Sequence, residues 1–247
     1  MSKLSKLFRS EKPAKEKGEK FPIGYSEADK AIYREAKPFT MTDREKVLSL
    51  IHAVRYVINA GIPGDIVECG VWKGGSMMAI ARTLLTAGVQ DRELYLFDTY
   101  EGMSTPTAKD VNHKGHDARQ VFDDTKFSDR EGSDWCYAAL DEVKANLARI
   151  GYPAARIHYI RGKVEDTLPA AAPEQIALLR LDTDWYESTL HEMRTLYPRL
   201  VPGGVLIIDD YYTWQGSKDA VDEYLVEHGL KLFLAPLSSG ATAIKPA

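Results

Sequence analysis

Short apolar runs alternate with longer stretches of helical period through most of this chain, and that rhythm is the first reading of its fold. The runs are DIVEC (65–69), ELYLFD (93–98), RIHYI (156–160), ALLRLD (177–182), GVLIIDD (204–210), LKLFLA (230–235) and ATAIK (241–245). Between them lie SMMAIARTLLTAG, YAALDEVKANLARIG, STLHEMRTLYPRL and SKDAVDEYLVEHG, each suited to a helix. Ahead of the first run, apolar residues at Val47, Leu48, Leu50, Ile51, Val54, Val57 and Ile58 recur with helical spacing. Thr42 or Asp43 can cap the start of that helix, and Gly61 follows its end. The segment FPIGYSEADKAIYREAKPFTM before it reads as an irregular or partly helical lead-in. Strands alternating with helices predict βαβ units: an α/β fold with a seven-stranded, mostly parallel sheet and helices on both faces.

One stretch breaks the rhythm. Residues 101–135 are rich in Asp, Gly, Ser, Thr and Lys, and a loop of that length in a compact domain is usually functional or disordered. The 247 residues, 44% hydrophobic, suffice for a sizeable core, which predicts a single domain over 21–247. Residues 1–20 carry seven Lys or Arg against three Glu, a basic tail expected to be disordered. The overall net charge of −4 therefore leaves −8 on the body, which argues against a nucleic-acid partner. Cys69 and Cys136 form neither a metal-type spacing nor a disulfide framework, as expected of a cytoplasmic protein. No run approaches the roughly 18 apolar residues of a membrane span. Nothing in the chain decides whether it forms a homo-oligomer.

Ligands of open α/β sheets sit beyond the carboxyl ends of the strands, so the residues following each run carry the chemistry. After the first run, ECGVWKGGSM places Gly70, Gly74 and Gly75 between strand and helix, where the backbone can approach a ligand closely. The spacing is not G-x-G-x-x-G, which disfavours a nicotinamide cofactor. Asp98, at the end of the second run, stands where a carboxylate can receive ribose hydroxyls. Val164, Glu165 and Asp166 follow the third and can flank an adenine. The fourth and fifth runs end in Asp182, then Asp184, and in Asp209–Asp210. Adjacent parallel strands lie about 4.8 Å apart, so Asp182 and the Asp209–Asp210 pair can converge on one hard cation, Mg²⁺ or Mn²⁺. Tyr211, Tyr212 and Trp214 can wall an acceptor.

Taken in order, IVECGVWKGGS, LYLFDTYEGM, VEDTLP, LRLDTDWYEST and GGVLIIDDY followed by KDAVDEY resemble the macrocin-type sugar O-methyltransferases, the TylF/MycF family, over roughly residues 38–226. The resemblance implies a Rossmann-like class I methyltransferase fold, S-adenosylmethionine as cofactor and a need for Mg²⁺. It implies that Glu68, Gly70, Val71 and Trp72 face the methionine part and Asp98 the ribose. Tyr100 to Gly102 and Glu165 are then expected on the adenine side, with Thr99, Thr40, Met41 and Ser133 as further cofactor contacts. Asp182, Asp209 and Asp210 match the metal positions. The catechol methyltransferases carry a lysine base three residues after their first metal acid; here that residue is Trp185. Asp182 is then the leading candidate for deprotonating the acceptor, with His113 and His116 behind it. The expected activity is metal-dependent methylation of a sugar hydroxyl in a natural product or glycoconjugate. A catechol-type phenol methyltransferase and a non-catalytic nucleoside-binding homologue are the alternatives.

Overall fold

A computed structural model describes residues 19–247; most of the expected basic tail lies outside them. Glu19 and Lys20 are already tied to the body. The Glu19 carboxylate pairs with Arg34 and Arg44, and Arg44 donates to the carbonyl of Lys20. The lead-in is helical over α1 (Glu27–Ala36), started by a capping box in which Ser26 and Asp29 exchange hydrogen bonds. Helix α2 (Arg44–Asn59) follows with Asp43 as its N-cap. Its periodic residues Leu50, Val54 and Val57 turn toward the sheet, while Val47 and Ile51 pack under α1.

The sheet has seven strands in the order β3-β2-β1-β4-β5-β7-β6. They are β1 (Asp65–Cys69), β2 (Leu94–Asp98), β3 (Ile157–Arg161), β4 (Ile176–Leu181), β5 (Leu200–Ile208), β6 (Ala235–Leu237) and β7 (Gly240–Ile244). The first five pair in parallel, and β7 runs antiparallel to both β5 and β6. Alternate strand residues feed the two faces. Ile66, Leu94, Leu96, Leu178, Val205 and Ile207 join α2 and α3 (Gly75–Thr86) on one side. Val67, Phe97, Leu179, Leu206 and Ile208 join α7 (Tyr186–Thr195) and α8 (Gln215–Glu227) on the other. All six residues of β4 are buried, as a central strand covered on both faces requires.

Two expectations need correcting. The run 230–235 is not a strand until its last residue. Leu230, Leu232 and Leu234 pack on the core while Phe233 stays 83% exposed, so the alternation is real, but the chain has no ladder partner before Ala235. The stretch 101–135 is not structureless either. It contains α4 (Ala118–Thr125) and is pinned by bridges Val111↔Asp117, Asn112↔Trp214 and Lys126↔Ser133. Buried Asp110 fastens it to the body, accepting from the amide and hydroxyl of Thr107 on one oxygen and from the Tyr186 amide at the start of α7 on the other. Among the described residues no helix is long and apolar enough to cross a membrane.

Candidate active site

The order of the sheet reverses between β1 and β4, and a cavity of about 420 Å³ opens beyond the carboxyl ends of those strands. The ladder does not stop where the strands do. The Gly70 amide donates to the Phe97 carbonyl, the Asp182 amide to Cys69, and the Asp209 amide to Leu181. This continuation sets the ends of β2, β1, β4 and β5 side by side and lines up the residues that follow them. Only glycine fits at position 70, because its φ is +82° and a Cβ would collide with the main-chain carbonyl of Asp182. Trp72, Cys136 and Asp184 also line the cavity with left-handed backbone, at φ of +46°, +55° and +69°. Conformations that costly persist where surrounding structure over-determines them, and they cluster at functional sites.

One end of the cavity is built around Asp98. Asp98 stands beside the glycine turn, one oxygen accepting from the amides of Val71 (2.7 Å) and Trp72 (3.1 Å), the other from Tyr100 (2.6 Å). Burial pushes its carboxyl up from the ordinary value, against the pull of those three amides. Thr40, Met41, Gly70, Val71, Trp72, Asp98 and Gly102 all line this cavity. Thr99 and Glu165 line a smaller recess that opens beside Asp98. Three expected cofactor residues do not face either space. Glu68 is fully buried on Arg180, the Tyr100 hydroxyl donates to Leu96 within the core, and buried Ser133 donates to the Met103 carbonyl, holding the 101–135 segment closed.

The other end is acidic. Oxygens of Asp182, Asp184 and Asp210 all lie within 4.8 Å of one another. Burial pushes the carboxyls of Asp182 and Asp184 well above the usual range, and their neighbouring carboxylates push further. Asp209 is adjacent but turned. Its oxygens receive Arg180 Nη2 at 2.6 Å and Lys46 Nζ at 2.7 Å, and those cations outweigh burial and hold it below the usual carboxylate range. Arg180 also contacts Glu68 and Asp182, each at 2.7 Å, and donates to Thr42 Oγ1. Sequence reading thus found Asp182 and Asp210 of the converging set and missed Asp184, Lys46 and Arg180.

Above the acids stands an aromatic wall. Trp135, Trp185 and Trp214 pack edge-on with ring centroids 5.1–6.1 Å apart, and Trp135 and Trp214 reach the cavity. Trp185 is buried behind them and donates its indole N–H to Ser104. Tyr211 and Tyr212 do not line the cavity; the Tyr211 hydroxyl donates to Asp222 on α8. His113 and His116 are exposed and line neither space.

The model of the macrocin O-methyltransferase (TylF) family matches residues 4–242. The chain belongs to that family. Among relatives of this TylF-family chain is the 8-demethyl-8-(2,3-dimethoxy-α-L-rhamnosyl)-tetracenomycin-C 4′-O-methyltransferase of Streptomyces olivaceus, 35% identical over 77% of this chain and 69% of that one. The mycinamicin III 3″-O-methyltransferase of Micromonospora griseorubida is 32% identical over 77% and 72%. The solved O-methyltransferase NovP superposes with a TM-score of 0.74 at 28% identity, covering 85% of this chain and 83% of its own. The sheet is that of the class I O-methyltransferases, and O-methyl transfer is the activity of the family.

Proposed function

We propose that this TylF-family protein transfers the methyl group of S-adenosylmethionine to a sugar hydroxyl on a natural product or glycoconjugate, with a divalent cation at its acids. The observation that carries the reading is one cavity with a nucleoside-type corner at Asp98 and a convergent carboxylate set opposite, roofed by tryptophan. The Streptomyces olivaceus relative is named for 4′-O-methylation of a rhamnosyl-tetracenomycin, which supports a glycoside acceptor here.

The cofactor's ribose would meet Asp98, its methionine part the Gly70–Trp72 turn and Thr40–Met41, and its adenine the recess of Thr99 and Glu165. Asp98→Ala should weaken S-adenosylhomocysteine by about 1.5–3 kcal/mol, the loss of a hydrogen bond to a charged group. Calorimetry checks this; affinity equal to that of the unchanged protein would move the ribose elsewhere.

The acids fit a hard cation. Three carboxylates lie within 4.8 Å, two of them pushed up in pKa by burial and then by proximity, and among the described residues no cation pairs with Asp184 or Asp210. Asp182 and Asp210 would hold Mg²⁺ or Mn²⁺, with Asp184 and Asp209 flanking them. When bound, such an ion supplies a positive charge that lowers the pKa of a coordinated hydroxyl. The remaining work belongs to the chain. Asp182 and Asp184 together take the hydroxyl proton, Trp135 and Trp214 orient the acceptor and exclude water, and the ordered 101–135 segment covers them. The buried Trp185 puts an indole where a catechol methyltransferase keeps its lysine.

The test uses labelled-methyl cofactor with panels of glycosides and catechols, after chelation and after Mg²⁺ is restored. Methylated glycosides formed only with Mg²⁺ are expected. Turnover of catechols alone would overturn the acceptor class, and full activity after chelation would overturn the metal.

A further inference from the structure

Lys46 is the one lysine lining the cavity among the described residues, and neither a cofactor contact nor the proton transfer uses it. It sits in the first turn of α2, three residues after the N-cap, and its side chain is only 9% exposed. Its ammonium donates to Asp209 Oδ2 at 2.7 Å and to the Asp209 main-chain carbonyl at 2.8 Å. With a carboxylate oxygen and a carbonyl as its partners, the side chain sits there as an ammonium, the ordinary form of lysine at neutral pH.

Two consequences follow from that position. First, Thr40, Met41, Thr42 and Asp43, the residues just before α2, form one wall of the cavity. Lys46 fastens that wall to the end of β5 with two bonds, beside the Arg180–Thr42 contact. Second, Lys46 is a resident positive charge at the edge of the acids. With Arg180 it faces Glu68, Asp182, Asp184, Asp209 and Asp210, two cations against five carboxyls. A fixed ammonium there makes the potential at the acids less negative and so weakens the pull on a second cation, and it holds one Asp209 oxygen by its own hydrogen bond.

We infer that Lys46 is a positioning residue with two opposed effects: it tightens the cofactor by fixing the Thr40–Asp43 wall, and it weakens divalent-cation binding as an internal counter-ion. The inference rests on the proposal that the acids hold such a cation. Its signature is a pair of shifts in opposite directions, which general damage to the fold does not produce. Without the tether, the wall must be ordered at the expense of cofactor binding. Without the charge, the cluster becomes more negative and attracts Mg²⁺ more strongly.

Titration calorimetry with S-adenosylhomocysteine and, separately, with Mg²⁺ decides it, using full-length protein and Lys46→Met, Lys46→Gln and Lys46→Arg. In Lys46→Met the Kd for Mg²⁺ should fall about tenfold and that for S-adenosylhomocysteine should rise about tenfold, within the usual range of coupling between sites. Lys46→Gln, which keeps a donor and loses the charge, should tighten Mg²⁺ likewise with a smaller loss of cofactor. Lys46→Arg keeps the charge, so its Mg²⁺ affinity should stay within about threefold of the unchanged protein. Parallel weakening of both ligands in Lys46→Met and Lys46→Gln, or an unaltered Mg²⁺ affinity in both, overturns the inference. Should Mg²⁺ fail to bind even the unchanged protein while the cofactor binds, the metal reading falls and takes this one with it.

Discussion

Asp182→Asn and Asp184→Asn will each lower turnover by about 10²–10⁴-fold, the range typical of losing a general base. Binding of S-adenosylhomocysteine should change little, because the cofactor corner is built from the ends of β1 and β2 and from Thr40–Met41. The two half-buried carboxyls lie with Asp210 within 4.8 Å of one another, close enough for their proton affinities to depend on each other. The double variant should therefore be little worse than the poorer single one, as groups that act together are far from additive. Saturating Mg²⁺ should rescue Asp209→Asn better than Asp182→Asn, because Asp209 gives both oxygens to Lys46 and Arg180. Single-turnover rates with a methylated glycoside as product supply the measurement. Independent, multiplicative losses from the two single changes would separate their roles.

Arg180→Met will cost about 3–5 kcal/mol of stability, the penalty for removing one partner from a buried ion network. That corresponds to roughly 6–20 °C in melting temperature for a chain of this size. The guanidinium is 2% exposed and contacts Glu68, Asp182 and Asp209, so its loss leaves Glu68 and Asp182 without their cation and Asp209 with Lys46 alone. Glu68 is the most telling of them. It is fully buried, its Oε2 has no partner, and burial raises its carboxyl to about 7 despite the pull of Arg180. Adding Glu68→Gln to Arg180→Met should therefore recover part of the lost stability, since one uncompensated acid disappears. A melting temperature within about 2 °C of the unchanged protein would show that the network is hydrated and contributes little.

The strand ends were legible because period and position sufficed: each apolar run of β1 to β5 became a strand, and the residues after β1, β2, β4 and β5 reached the cavity while those after β3 reached the recess beside it. Period alone misled at 230–235, where alternate burial of leucines against α8 and its neighbours mimics a strand without a ladder. In the acid cluster, counting strand ends identified Asp182 and Asp210, but not which way Asp209 turns. That depends on Lys46, 163 residues away, whose place is set by the packing of α2 and by no local pattern. A signal for the ionic network was present all the same. Arg180 interrupts the apolar run ALLRL, and an arginine inside a central strand demands buried acids nearby. Its register partner on β1 is Glu68, so the two strands carry matching charges at one level of the ladder. Asp184 was hidden for another reason: its left-handed backbone re-aims the side chain toward Asp210, and no non-glycine residue announces such a turn.

The distribution of indoles has an optical consequence. The chain has four tryptophans; Trp72, Trp135 and Trp214 line the cavity and Trp185 stands directly behind them. Three of these rings lie within 6.1 Å of one another, close enough to share excitation, and they come from the 101–135 segment, the start of α7 and the start of α8. Ultraviolet emission from this protein is thus a property of this cavity rather than of its surface. Quenching, spectral shift and near-ultraviolet dichroism all read the same few side chains, so a ligand entering the cavity can be followed in real time on the unlabelled chain.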